Sequence, residues 1–73
     1  MRTEFKTING VERISCYKSL DPEADVFPDV EIEESTYGST YLVDIAESAS
    51  FRVNSKETAL KIAELYINDL EEQ

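Results

Sequence analysis

The chain has 73 residues, with 16 Asp and Glu against 7 Lys and Arg and no His, which gives a formal net charge of -9. That length allows one domain with one small core, and the charge argues against direct binding to nucleic acid or to an anionic membrane, since both need Lys and Arg. The lack of His and the single cysteine, Cys16, exclude an intramolecular disulfide, a thiolate zinc site and the commonest general base. No apolar run approaches the roughly 20 residues of a membrane span, and residues 1–6 lack the apolar core of a signal peptide, so a cytoplasmic protein is the expectation.

The negative charge is concentrated in the middle of the chain. Residues 19–51 contain no Lys or Arg, whereas the segments on both sides carry both signs. The acidic residues of this middle segment are Asp21, Glu23, Asp25, Asp29, Glu31, Glu33, Glu34, Asp44 and Glu47. A segment with charge of one sign is typical of disorder or of an interaction surface.

The first predicted element is a β-hairpin over residues 2–18. Asn9-Gly10 is the dipeptide preferred in a two-residue type I′ turn, and apolar and polar residues alternate on both sides of it. A two-residue loop places Phe5 opposite Ile14 on one face. The opposite, outer face then carries Glu4, Lys6, Arg13, Ser15 and Tyr17.

Residues 19–29 are predicted to form an acidic loop between two hairpins. Asp21 precedes Pro22 in the arrangement of an N-cap and a first helical residue, so one short helical turn is expected. Phe27 precedes Pro28, which returns the chain to an extended conformation.

A second hairpin is predicted over residues 30–47. Gly38-Ser39 fits a type II′ turn, and the resulting register places Glu33 directly opposite Asp44 on the outer face. The inner face then carries Val30, Ile32, Tyr41, Val43 and Ile45.

A short strand over residues 50–53 and a helix over residues 55–71 complete the prediction. Asn54 followed by Glu57 resembles a capping box, with Ser55 as the alternative cap. Apolar residues then recur at helical spacing, and these are Ala59, Leu60, Ile62, Ala63, Tyr66, Ile67 and Leu70.

These elements predict an α+β fold in which an antiparallel sheet of about four strands, built from two hairpins, is packed by one C-terminal helix. The strand order stays open. We expect Cys16 on the inner face of the sheet as a small hydrophobic residue. The predicted core consists of Phe5, Ile14, Val30, Ile32, Val43, Ile45, Phe51, Ile62, Ala63, Tyr66 and Leu70.

The acidic segment is the candidate functional site. Residues on one face of a strand repeat at about 6.5–7 Å, a spacing similar to that of adjacent phosphates, so a rigid row of carboxylates could occupy a basic cleft built for DNA or RNA. The alternative is a solvated surface that only keeps the protein soluble. The predicted partner-binding residues are Asp21, Glu23, Asp25, Phe27, Asp29, Glu31, Glu33 and Asp44.

Phe27 has two interpretations within this segment. Its apolar character favours a side chain that folds back to cover the open end of the core, whereas the sharper interpretation is an aromatic anchor within a charged rim. No metal or cofactor site is predicted, because the EF-hand-like spacing of Asp21, Glu23 and Asp25 continues with Val26 where that loop needs Gly. No catalytic residue is predicted either, because a chain of this size offers no enclosed pocket to shift the pKa of a carboxylate pair.

The sequence therefore predicts a small, acidic, non-enzymatic binding module that inhibits a partner by occupying its basic, nucleic-acid-binding surface. In its size, acidity and sheet-plus-helix pattern the chain resembles the small inhibitors made by phages and mobile elements. This resemblance rests on no shared motif and implies a nucleic-acid-mimic or anti-defence role. The expected partner is a basic protein surface, with no direct nucleic acid and no membrane. The alternative is a structural or assembly protein that homodimerises through the sheet edge or the helix, with its charge serving solubility.

Overall fold

A computed structural model describes residues 1–21, 23, 27–35, 40–46 and 48–71, with only the backbone for Glu71. The elements in chain order are β1 (Arg2–Ile8), β2 (Val11–Tyr17), β3 (Val30–Glu34), β4 (Tyr41–Ile45), β5 (Ala49–Val53) and α1 (Lys56–Glu71). The strands form one antiparallel sheet in the order β1-β2-β3-β4-β5, so each pairs with its neighbour in sequence. The predicted α+β class is confirmed. The expected number of about four strands is wrong, because β5 pairs with β4 along its whole length.

The first hairpin has the predicted register. Phe5 lies opposite Ile14. Both turn residues have a positive φ, 54° for Asn9 and 80° for Gly10, as a type I′ turn requires. The turn chemistry therefore sets the pairing, and with it the face on which each side chain of β1 and β2 lies.

The predicted register of the second hairpin is wrong by two residues. Glu31, rather than Glu33, lies opposite Asp44. The N–H of Ser35 donates to the carbonyl of Thr40 at 2.9 Å, so the connection is longer than the predicted two-residue turn. The Gly-Ser dipeptide of that prediction lies outside the described residues. Because the shift is even, the side chains of β3 and β4 keep their predicted faces.

The core lies between the inner face of the sheet and α1. Its buried side chains come from β2, β3, β4 and α1, and they are Ile14, Cys16, Val30, Ile32, Val43, Ala59, Ala63 and Ile67. Partly buried residues surround this cluster, among them the predicted core residues Ile45, Phe51, Ile62 and Tyr66. Leu70, near the end of α1, is also partly buried.

Two aromatic residues of the first hairpin differ from expectation. Phe5 is 56% exposed rather than in the core, because α1 packs mainly over β3, β4 and β5 and meets the Phe5 ring through the ammonium of Lys56, 5.5 Å from the ring centre. Tyr17 lies on the outer face as predicted but is buried, with the guanidinium of Arg2 4.0 Å from the centre of its ring. This burial raises the pKa of the Tyr17 hydroxyl.

The cap of α1 is Ser55. Its Oγ accepts the backbone N–H of Thr58 at 3.1 Å, and its hydroxyl donates to Oγ1 of Thr58 at 2.8 Å. The alternative cap is thus confirmed, and the capping box of Asn54 with Glu57 is wrong. The helix begins at Lys56, one residue later than the predicted span.

Candidate functional site

The outer face of the sheet carries basic as well as acidic side chains. Alternation along the strands puts four of each sign on this face: Arg2, Lys6, Arg13 and Arg52 with Glu4, Glu31, Glu33 and Asp44. The expected row of carboxylates is therefore interrupted. The acidic strands lie between β2 and β5, and these neighbours supply the cations that the middle of the sequence lacks.

Arg13 pairs with two carboxylates of β3. It lies opposite Glu33 in the ladder between β2 and β3. Its Nε is 3.3 Å from Oε1 of Glu31, and its Nη2 is 3.4 Å from Oε1 of Glu33. All three side chains are partly exposed, so water screens the pairs and they contribute little stability. They nevertheless offset part of the negative charge of β3, and sequence reasoning missed this residue because it left the strand order open.

The connection between β2 and β3 holds four of the predicted site residues with carboxylates. Asp21 and Glu23 are exposed, and Oδ1 of Asp21 accepts the N–H of Glu23 at 2.9 Å, as expected for a cap at this position. Asp29 is partly buried, and its carboxylate accepts the N–H of Lys18 at 2.7 Å, which ties the two ends of the connection together. Asp25 lies outside the described residues. Among the described carboxylates of this connection, Asp21 and Glu23 are thus the ones that face solvent.

Phe27 projects from the same connection. Its side chain is 83% exposed, so the interpretation that it covers the open end of the core is wrong. With Pro28 and Ala46 it lines a shallow depression of about 330 Å³, whose other walls are Glu31 and Asp44 on the outer face of β3 and β4. The fold thereby brings three predicted site residues together, an aromatic ring beside two carboxylates.

The two carboxylates of this depression have different partners. Glu31 shares the guanidinium of Arg13 with Glu33. Asp44 is exposed and accepts the hydroxyl of Ser50 at 3.0 Å, and it has no cationic partner among the described residues. Since Glu31 and Asp44 lie directly opposite each other, their like charges repel. A cation bound between them would relieve that repulsion.

Other kinds of site have less support in the part of the chain that the structure describes. It holds no group of three or more His, Cys, Asp or Glu side chains that could bind a metal ion. Its helix is too short and too polar to cross a membrane. Cys16 is buried, and burial raises the pKa of its thiol to about 11, so the reactive thiolate is scarce at neutral pH.

Comparison with known proteins gives no match for this chain: no family model, no curated protein and no solved structure is significantly similar to it.

Proposed function

We propose that this chain is a non-enzymatic binding module that acts in the cytoplasm and blocks a basic, nucleic-acid-binding surface of a partner protein. The observation that carries the proposal is the depression in which the exposed Phe27 lies beside the carboxylates of Glu31 and Asp44. A large aromatic side chain surrounded by charged groups is typical of the centre of a binding surface.

The depression suits an Arg or Lys side chain of the partner. The cation would reach the carboxylates of Glu31 and Asp44, while the ring of Phe27 would attract the cation and contact its aliphatic stem. Apolar burial and charge pairing would then favour the same contact. Surfaces that bind nucleic acid present several such cationic side chains.

The neighbouring carboxylates add negative charge around this depression. Asp21 and Glu23 are exposed on the connection that carries Phe27, and they add the long-range attraction that accelerates association with a basic partner. Asp29 and Glu33 do not line the depression and therefore supply charge rather than direct contacts. Asp25 belongs to the proposed surface by its place in the sequence.

An affinity pull-down at low salt, eluted with a salt gradient, tests this function. We expect a basic protein to bind and to elute as the salt rises, because salt screens exposed charges. The double variant Glu31→Lys/Asp44→Lys should lose that protein. Glu64→Lys/Asp69→Lys is the matched control, since it makes the same charge change at exposed positions of α1. Affinity that is equal at low and high salt, or undiminished in the first double variant, would refute the proposal.

The aromatic anchor is tested separately from the charge. Phe27→Ala should weaken binding by about tenfold or more, as loss of a hot-spot side chain does, without changing the dependence on salt. Leu65→Ala is the control, because Leu65 is also a large apolar side chain, 62% exposed on α1. Arg13→Gln should strengthen binding, since it releases Glu31 and Glu33 from their internal cation.

A further inference from the structure

We infer that two copies of this chain pair edge to edge and antiparallel through β1 to form one continuous sheet. β1 lies at the edge of the sheet. Beside it, Phe5 is 56% exposed and borders an open groove of about 450 Å³, whose far side is formed by residues of α1 such as Leu60 and Glu64. A long edge strand with an exposed apolar side chain is a template for pairing with another strand.

The backbone groups that β1 leaves unpaired belong to alternate residues. The residue pair that closes a two-residue turn is hydrogen-bonded, and bonded and non-bonded pairs alternate along an antiparallel ladder. Thr3, Phe5 and Thr7 therefore direct their N–H and C=O groups to the free edge. A contact of Cys16, which lies opposite Thr3, supports this assignment of bonded and non-bonded pairs. The carbonyl of Cys16 points away from β1 and accepts the N–H of Asp29 at 2.9 Å.

A two-fold axis at Phe5 gives these groups their best partners. Each Phe5 then pairs with the same residue of the second copy, and each Thr3 pairs with a Thr7. On the outer face, each Glu4 lies opposite a Lys6. Moving the axis by one residue, to Glu4 or to Lys6, sets like charges opposite each other and leaves Thr7 or Thr3 opposite a residue outside β1.

The charges of β1 also favour a second copy of the chain as the partner at its free edge. Within one chain, Lys6 lies opposite Arg13, a like charge, and it forms no ion pair with any residue that the structure describes. Glu4 pairs with Arg2 at 3.0 Å, and its side chain is still 42% exposed. The paired copies place each Glu4 against the Lys6 that lacks an acidic partner, so the strand complements itself.

Sedimentation equilibrium of the full chain over a range of concentrations tests the pairing. We expect a dimer that both Glu4→Lys and Lys6→Glu weaken by at least about tenfold, because each sets two like-charged pairs across the axis. The double variant Glu4→Lys/Lys6→Glu should restore it, since the opposite charges meet again. Arg52→Glu, the same charge change as Lys6→Glu on the outer face of β5, is the control and should leave the dimer unchanged.

A chain that stays monomeric at every concentration overturns the inference. A dimer whose association constant is the same in Glu4→Lys, Lys6→Glu and the original chain overturns it as well. If Glu4→Lys does not fold, Lys6→Glu still decides the matter, because it removes the like-charge contact with Arg13 and should fold at least as well as the original chain. Thr7→Pro is an independent probe. It removes an N–H that faces the free edge, so the fold seen by circular dichroism should persist while the dimer is lost. The depression beside Phe27 lies on other strands, so the two proposals can fail separately.

Discussion

Replacing Ser55 with Ala should lower the free energy of unfolding by about 1 kcal/mol. The Oγ of Ser55 accepts the N–H of Thr58 at 3.1 Å, and that donor has no carbonyl partner inside the helix. Loss of such a cap costs about 0.5–2 kcal/mol. The hydroxyl contact between Ser55 and Thr58, at 2.8 Å, is lost as well, which places the expectation near the middle of that range. For a domain of this size, such a loss lowers the melting temperature by about 4–8 °C.

Urea unfolding followed by far-ultraviolet circular dichroism measures this loss. With a slope of about 1 kcal/mol per molar urea, as expected for a short chain, the midpoint should fall by about 1 M while the slope stays the same. Asn54→Ala is the matched control, because Asn54 precedes the cap and should leave the midpoint nearly unchanged. Ser55→Asp should keep most of the stability, since Asp is also a good cap. A larger loss in Asn54→Ala than in Ser55→Ala would refute this account of the helix start.

Other predictions concern the core and the outer face. Burial raises the pKa of Cys16 from 9.0 to about 11, so the unfolded chain releases the thiol proton first. The contribution of this thiol to the free energy of unfolding is fully present below pH 9.0 and is lost as the pH rises to about 11. Denaturation at a series of pH values should therefore show that the unfolding free energy of Cys16→Ala depends less on pH over this range. Ile32→Ala should lower the unfolding free energy by about 2–5 kcal/mol because Ile32 is 1% exposed. Phe27→Ala should change it by less than about 0.5 kcal/mol because Phe27 is 83% exposed. Denaturation curves that show the larger loss for Phe27→Ala would contradict the placement of both residues. Arg13→Gln should cost no more than about 1 kcal/mol, and a cost that did not shrink at high salt would show that its ion pairs are not the cause.

Turn chemistry explains why one hairpin was predicted accurately and the other was not. Asn9-Gly10 favours one turn type, and that type leaves one register. The Gly-Ser dipeptide of the second hairpin favours a turn less strongly, and the observed pairing of Ser35 with Thr40 requires a longer connection. The side chains of β3 and β4 lie on their predicted faces despite the wrong register, because the register differs by an even number of residues. The burial of Val30 and Ile32 therefore followed from alternation alone.

The surroundings of the candidate site depended on the order of the strands, which no local pattern specifies. Arg13 meets Glu31 and Glu33 only because β2 pairs with β3. The exposure of Phe5 likewise depends on which strands α1 covers, and helical periodicity indicates which face of the helix is buried without indicating what lies beneath it. Phe27 shows a further limit, since apolar character alone predicts burial and the structure exposes this side chain.

The uneven position of α1 divides the sheet into parts that differ in resistance to opening. Within a single copy, β1 has one neighbouring strand and few contacts with α1, whereas β3 and β4 have a neighbour on each side and the helix above. In the monomer, amides of β1 should therefore exchange with solvent through local openings that leave the remaining strands folded, while those of β3 and β4 should exchange mainly through complete unfolding. Because synthesis proceeds from the N-terminus, β1 leaves the ribosome before the other four strands, and α1 leaves it after them. The chain thus completes its hydrophobic core only after the whole sheet has emerged.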